Sequence, residues 1–312
     1  VAFNKLGNRG RKMIELTFLG TSSAFPTIKR NHSSIYVKLE DKRLLLDCGE
    51  GTQRQIRIAG LSPKIDYILL THWHVDHMIG IVGLLESLAI SDLPMPQIFG
   101  PDIKKSARML LRAVNLNERV QINDIQLKRE KEIIDLEKFK IFAFPVKHTV
   151  PCVGYKIVEK DKVKIKKEFL EKNNIKSGPH LRPLLEGKDI IYEGRKISAK
   201  EATEIQKGKS VVYLTDLRFD RKIANYIKNV DLLIIEATYR TELQKEAKEY
   251  YHLTIKDALT LAKMAMAKQV IITHISQRYE NSEDYKNEVF SLAQEMGLNV
   301  QIAEDFMSVK VE

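Results

Sequence analysis

Three histidines and an aspartate fall within six residues in Thr71-His72-Trp73-His74-Val75-Asp76-His77, directly after the apolar run 65–70. A hydrophobic core cannot absorb such a run, because buried polar groups need partners. Any fold of this chain must therefore bring these side chains to a place where something holds them. Imidazole nitrogen and carboxylate oxygen are the ligands zinc accepts, and a catalytic zinc keeps one position open for water. The competing reading is a polar loop that happens to be rich in histidine, and this density makes it the weaker one.

The ligand count does not close within this run. Three more positions repeat its setting: the strand-like stretch 139–146 leads to His148, 210–214 to Asp216, and 270–273 to His274. Taken singly, His148 or His274 would more readily be a packed or surface histidine. Four short buried strands, each followed by a metal-competent side chain, make the stronger case. In layered α/β folds, sites gather beyond the carboxyl ends of strands. His72 and His74 alternate, and can face one metal together with His148. Asp76 and His77 then turn toward a second metal with His274, and Asp216 has the two oxygens of a bridge. Two metals about 3.5–4 Å apart can clamp the attacking and leaving oxygens of a phosphodiester. The expected ions are two zincs per subunit, although manganese or iron would accept the same ligands.

Length allows one large α/β domain or two smaller ones, since the chain has 312 residues. No stretch approaches the roughly 18 apolar residues of a membrane span, and no secretory leader is visible. Cys48 and Cys152 are the only cysteines. They fit small core positions in a reducing cytosol better than a disulfide framework. The formal charge of +10 favours a polyanionic partner, although abundant Lys and Glu also accompany adaptation to high temperature. Residues 160–200 hold 12 Lys and Arg against 6 Asp and Glu, so much of the excess is local.

Patterning predicts antiparallel strands at 14–19, 34–39 and 43–46, and helices at 56–59, 80–89 and 104–114. After the basic segment it predicts helices at 199–206 and 221–228 and strands at 210–214 and 231–236. Thr254 is a plausible N-cap of a helix over 254–268, with Asp257 three positions on. A second helix over 282–296 should end at Gly297.

The residues also resemble a known family. The His-x-His-x-Asp-His run belongs to the metallo-β-lactamase fold, and its surroundings are similar to the ribonuclease Z family. The likeness runs from Met13 to the end of the chain. It includes Phe18-Leu19-Gly20-Thr21-Ser22-Ser23-Ala24-Phe25-Pro26-Thr27 with Arg30-Asn31, and Asp47-Cys48-Gly49-Glu50-Gly51-Thr52-Gln53-Arg54-Gln55. It continues through His148-Thr149-Val150-Pro151, Glu236-Ala237-Thr238, His252-Leu253-Thr254 and His274-Ile275-Ser276-Gln277-Arg278-Tyr279. Two positions depart from the family pattern. Val75 stands where Gly is usual, and Thr215-Asp216-Leu217 replaces Gly-Asp-Thr. If the backbone needs positive φ at position 75, Val75 would be strained.

The resemblance implies a four-layer αββα metallo-β-lactamase sandwich over 13–312, preceded by an extension at 1–12. It implies an inserted basic arm over about 158–200 that grips tRNA, with Gly178, Pro179 and Arg182 in its Gly-Pro element. It implies a cytoplasmic homodimer that hydrolyses precursor tRNA after the discriminator nucleotide. Asp76 would take a proton from the attacking water, and His252, charged by Glu236, would donate one to the leaving ribose oxygen. From the residues alone, His252 could equally be a helix-start histidine and Glu236 a partner of Arg240. Ser22, Ser23, Thr27, Arg30 and Asn31 form a polar loop suited to substrate phosphate, with Arg278 a further contact and Phe25 and Arg54 weaker ones. Two other functions stay open: a phosphodiesterase for smaller substrates on the same fold, and a tRNA-binding homologue without catalysis.

Overall fold

The structure, a computed structural model, describes residues 14–116 and 118–311. The extension expected at 1–12 lies outside them. Strands β1 (Ile14–Gly20), β2 (Ser34–Leu39) and β3 (Lys42–Leu46) form the expected antiparallel meander. Helix α1 (Thr52–Ile58) leads to β4 (Tyr67–Leu69). Next come α2 (Val75–Met78), α3 (Gly80–Ile90), β5 (Gln97–Gly100), α4 (Ile103–Ala113) and β6 (Ile122–Asp124). Strands β4, β5 and β6 join β3 in parallel.

A second sheet begins with β7 (Lys131–Asp135), β8 (Phe139–Val146) and β9 (Cys152–Glu159). The chain then leaves the sheet for the basic segment. Strand β10 (Lys162–Ile165) pairs antiparallel with β13 (Thr203–Gln206), and this ribbon is the stalk. Between them lie α5 (Lys167–Lys172), α6 (Arg182–Leu185), the hairpin β11 (Ile190–Tyr192) and β12 (Arg195–Ile197), and α7 (Ala199–Ala202). Leu170, Ile175, Leu181, Leu184 and Ile197 form a small core of their own here.

The second sheet resumes with β14 (Ser210–Leu214), β15 (Leu232–Glu236), β16 (Gln269–Thr273) and β17 (Val300–Ile302), paired in parallel in that order. Helices α8 (Gln244–Glu249), α9 (Ile255–Met264) and α10 (Glu283–Met296) lie between them. Strand β18 (Ser308–Val311) returns to pair with β1 at the edge of the first sheet. Each main sheet thus has seven strands.

Period-2 alternation assigns the layers. Val211 and Tyr213 of β14 join Leu16, Phe18 and Leu44 of the first sheet in the core between the sheets. Val212 and Leu214 point the other way, onto Leu259 and Leu261 of α9 and Val289 of α10. On the far side, Leu45 and Ile68 pack against Leu84 and Leu85 of α3 and Leu111 of α4. The result is the αββα sandwich. Trp73 packs at the edge of this last cluster, and both cysteines are buried and free.

Local signals fix several ends. Thr254 and Asp257 form a reciprocal capping box, Ser282 caps α10, and Gly297 ends it at φ 67°. Three expectations need correction. The segment 199–206 is half helix and half strand, because Thr203–Gln206 is recruited to pair with β10. Residues 221–228 give only a 3₁₀ turn, Arg221–Asn225. The helix starting after Thr254 stops at Met264 rather than 268, since Met266 takes φ 52° and the chain turns into β16.

Candidate active site

The segments that follow β4, β8, β14, β15 and β16 converge. His72, His74, His148 and Asp216 offer ligand atoms within 4.8 Å of one another, and so do Asp76, His77, Asp216 and His274. Asp216 belongs to both groups. The imidazole nitrogens meet head on: His148 Nε2 lies 3.2 Å from His74 Nδ1, and His77 Nε2 lies 3.2 Å from His274 Nε2. Only one nitrogen of each pair can carry a proton, so the other presents a lone pair to the same space. His72 Nε2 is buried with no hydrogen-bond partner.

The backbone helps to aim these groups. Asp47, Asp216 and His274 all hold left-handed φ, at 59°, 52° and 56°. That conformation costs roughly 1–2 kcal/mol for most residues and is easiest for Asp and Asn. It recurs at three strand ends, where Asp216 and His274 enter the ligand groups and Asp47 lies behind them. Val75 has no such strain. It heads α2, is exposed, and is absent from the positive-φ residues. Gly49 and Gly80 let the loops close beneath the site. A Cβ on Gly49 would reach 2.5 Å from the Asp76 carbonyl, and one on Gly80 would collide with the Gly49 carbonyl.

Asp47 organises the layer behind the ligands. Its carboxylate accepts from the Thr71 N–H at 2.8 Å, the Tyr213 hydroxyl at 2.9 Å and His77 Nδ1 at 2.8 Å. This fixes the His77 tautomer and leaves Nε2 facing the cleft. Thr238 does the same for His274, its hydroxyl lying 2.9 Å from His274 Nδ1, and the Tyr251 carbonyl is 3.1 Å from His148 Nδ1. The roles of Asp47, Tyr213 and Thr238 were missed in the sequence. The available signal was a lone acid ending the apolar strand β3, and a threonine two residues beyond Glu236.

Electrostatics complete the fit to cations. Burial lowers His72, His74 and His148 below the usual histidine range. Burial would lower His77 too, but Asp216, Asp76 and Asp47 outweigh it and raise His77 well above that range. Three buried carboxylates beside these imidazoles thus demand positive charge at this point. Nitrogen and oxygen donors, converging lone pairs and that demand together suit divalent metal ions.

Glu236, His252 and His274 form a third cluster, but it is already satisfied. Glu236 accepts from the Leu217 N–H at 2.9 Å, the Leu253 N–H at 3.2 Å and the Thr238 hydroxyl at 2.6 Å. His252 Nδ1 stands 3.2 Å from both its oxygens. Burial would lower His252, yet the Glu236 carboxylate and then Asp216 override it, lifting the imidazole to about 9. Arg240 pairs with Glu288 and Glu242 instead of Glu236.

The polar loop after β1 lies beside the cleft, bridged at Ser22 to Ile275. Its side chains are largely committed to its own shape. Ser22 and Ser23 are buried, and Ser22 Oγ donates to the Phe25 carbonyl at 2.5 Å. Thr27 accepts from the Arg30 N–H at 3.0 Å. Arg30 donates inward to Thr21 Oγ1 and the Ala303 carbonyl, each at 2.6 Å, and Asn31 to the Glu50 carbonyl at 2.7 Å. Beneath them, Asp305 accepts from Thr21 Oγ1 at 2.8 Å and the Asn31 N–H at 2.7 Å, and burial raises it to about 6. Arg278 is exposed over the Tyr239 ring. Gly178, Pro179 and Arg182 lie in the arm, where Arg182 faces Glu186 at 3.6 Å.

Comparison with known proteins agrees with this architecture. A family profile described as "Anti-Pycsar protein Apyc1" matches residues 14–160, and one described as "Beta-lactamase superfamily domain" matches residues 202–275. Ribonuclease Z of Methanococcus maripaludis is 36% identical over 310 residues, covering 96% of this chain and 99% of that one. Ribonuclease Z of Archaeoglobus fulgidus is 35% identical over 307 residues, with 96% and 98% covered. Among solved structures, the short form of human tRNase Z superposes with a TM-score of 0.68 at 26% identity, over 96% of this chain and 99% of that one.

Proposed function

The chain belongs to the ribonuclease Z family, and on that premise we propose that it is a zinc-dependent endoribonuclease that removes the 3′ trailer from precursor tRNA. The observation that carries the proposal is the pairing of two ligand groups, shared through Asp216, with a Glu236–His252 couple beside them whose carboxylate is already satisfied. A site that only binds metal has no use for a charged histidine at its edge.

His72, His74, His148 and Asp216 would hold one ion, and Asp76, His77, His274 and Asp216 the other. Bound there, the ions would activate a water for attack on phosphorus and offset charge on the phosphoryl oxygens. Asp76, whose Oδ2 lies 3.3 Å from His77 Nε2 and 3.5 Å from His274 Nε2, would also share in taking the proton that the attacking water loses. As the phosphorus–oxygen bond to the discriminator ribose breaks, the 3′ oxygen takes a proton from His252 Nε2. Glu236 holds Nδ1 and keeps the ring charged until that moment. The products are a tRNA ending in a 3′-hydroxyl and a trailer with a 5′-phosphate.

The basic arm, with its separate core on a two-stranded stalk, suits the grip on a folded polyanion far from the cut. We propose that it acts across a homodimer in the cytoplasm, one subunit's arm holding the tRNA that the other cleaves. No helix among the described residues is long and apolar enough to cross a membrane. The test is an end-labelled precursor tRNA with a 3′ trailer, incubated with zinc, with manganese or with chelator, and mapped at nucleotide resolution. One metal-dependent cut beside the discriminator nucleotide supports the proposal. Binding without any cut, or hydrolysis confined to small phosphodiesters, refutes it.

A further inference from the structure

Two guanidinium groups stand beside the cleft, each over an aromatic ring. The Arg218 carbon Cζ lies 5.4 Å from the centre of the Tyr251 ring, and that of Arg278 lies 5.5 Å from the centre of the Tyr239 ring. Both tyrosines border His252. Tyr251 precedes it in the chain, and the Tyr239 ring centre is 6.1 Å from the imidazole. Both arginines are exposed. Among the described residues, neither makes a side-chain hydrogen bond or comes within 4.0 Å of a carboxylate. This sets them apart from their neighbours: Lys147 reaches Asp220 at 3.1 Å, and Arg240 reaches Glu288 at 2.7 Å.

The placement of Arg218 is built into the fold. It follows Asp216 by two residues, and its N–H donates to the Lys147 carbonyl at 2.8 Å, next to His148. Its aromatic support, Tyr251, takes φ 58° and gives its carbonyl to His148 Nδ1 at 3.1 Å. Arg218 is therefore tied, by its backbone N–H and by the ring under its guanidinium, to segments that carry or orient candidate ligands. An aromatic face fixes the plane of a guanidinium while leaving its edge donors free. An unpaired, pre-oriented fork of donors beside the proton donor matches the geometry of a phosphate.

We infer that Arg218 binds a substrate phosphate adjoining the scissile one, acting with Arg278 at the two tyrosines that border His252. This rests on the trailer-removal function proposed above and adds a contact residue outside the polar loop and the arm.

The experiment measures kcat and KM on a trailer-bearing precursor tRNA across a potassium chloride series, for the intact chain and for Arg218→Ala, Arg218→Lys and Tyr251→Leu. Loss of one single-strand phosphate contact should lower the slope of log(kcat/KM) against log salt by about 0.7. Arg218→Ala should raise KM about tenfold, the usual scale for one charge-assisted phosphate contact. Arg218→Lys should restore the slope but only part of KM, because a point charge replaces a fork. Tyr251→Leu should raise KM with the slope retained, because the charge remains while its support is lost. An Arg218→Ala chain with the slope and KM of the unmodified chain overturns the inference and leaves the trailer-removal function standing. A fall in kcat with an unchanged slope also overturns it, since Arg218 would then act only through the His148 segment. An unmodified chain that neither binds nor cuts the precursor overturns both.

Discussion

Replacing Glu236 with Gln tests the proton-donor assignment most directly. The ionised carboxylate is fully buried, its partner His252 is only 16% exposed, and the two lie 3.2 Å apart. His252 rises from an ordinary 6.5 to about 9, which corresponds to about 3 kcal/mol at 1.36 kcal/mol per unit. Asp216 supplies part of that lift, and bound cations would offset its charge, so the alkaline limb of kcat should fall at or below about pH 9. A neutral amide removes the largest upward influence, and with the charge of Asp216 offset by cations, burial then dominates and returns the imidazole to the ordinary 6.5 or below it. At pH 7.5 the charged fraction would drop from nearly all to ~10% or less, an approximately tenfold loss of kcat from protonation alone. The assay is single-turnover cleavage of trailer-bearing precursor between pH 6 and 10, approximately the titration range of a shifted histidine. The limb should move toward acid by about two units, with metal affinity retained. An unmoved limb refutes the argument, even if kcat falls, because the loss would then be one of shape.

The same couple sets a stability window. His252 has a raised folded pKa, so its contribution is complete below the ordinary histidine value of 6.5 and disappears as pH climbs through about 9. For Glu236, burial alone would raise the carboxyl, but His252 outweighs it and holds it below the ordinary 4.5. Its contribution is therefore present above that value and is lost as pH falls through the depressed range.

Further expectations follow from the surrounding layers. Asp47→Asn leaves His77 and Tyr213 short of an acceptor, and should weaken metal affinity by about 10–100-fold in a competitive chelator titration. Metal removal should abolish cleavage and lower the melting temperature by several degrees, since a ligand at about 1,000 times its Kd contributes about 4 kcal/mol; an unchanged melting curve would count against metal binding. Replacing residues 162–206 with a short Gly-Ser linker should leave a folded, metal-binding sandwich, because the arm has its own core. It should raise KM for precursor tRNA at least about 100-fold, in keeping with the loss of several phosphate contacts. Val75→Gly should change kcat by less than about twofold, because the side chain is exposed on a helical backbone with no left-handed strain to relieve. A large gain there would show that Val75 distorts the loop.

Much of the site was legible because its signals are local. The segment that follows β4 presents His72 and His74 at alternate positions, and one turn of α2 brings round Asp76 and His77. The capping box at Thr254 and the stop at Gly297 are equally local. The errors lay where a distant partner overrode propensity. Thr203–Gln206 reads as the end of a helix until β10 offers it a ladder. The partners of Arg30 and Asn31 were equally out of reach of local pattern: Ala303 and Asp305, more than 270 positions away, accept from the Arg30 guanidinium and the Asn31 N–H.

The sequence by itself therefore determined the ligand types, their spacing, the alternation that builds two sheets and the concentration of positive charge in the arm. Each of these is written within a few residues, at the scale of a strand or a helical turn. Only the tertiary structure decided which carboxylate serves which imidazole. Asp47 meets Tyr213 across 166 positions, His77 meets His274 across 197, and Glu236 chooses His252 over Arg240. Those pairings depend on sheet register and on closing long loops, whose entropic cost grows only slowly with length. No local pattern records them, and they set the histidine proposed to donate a proton, which sits on Glu236, apart from those whose nitrogens converge on Asp216.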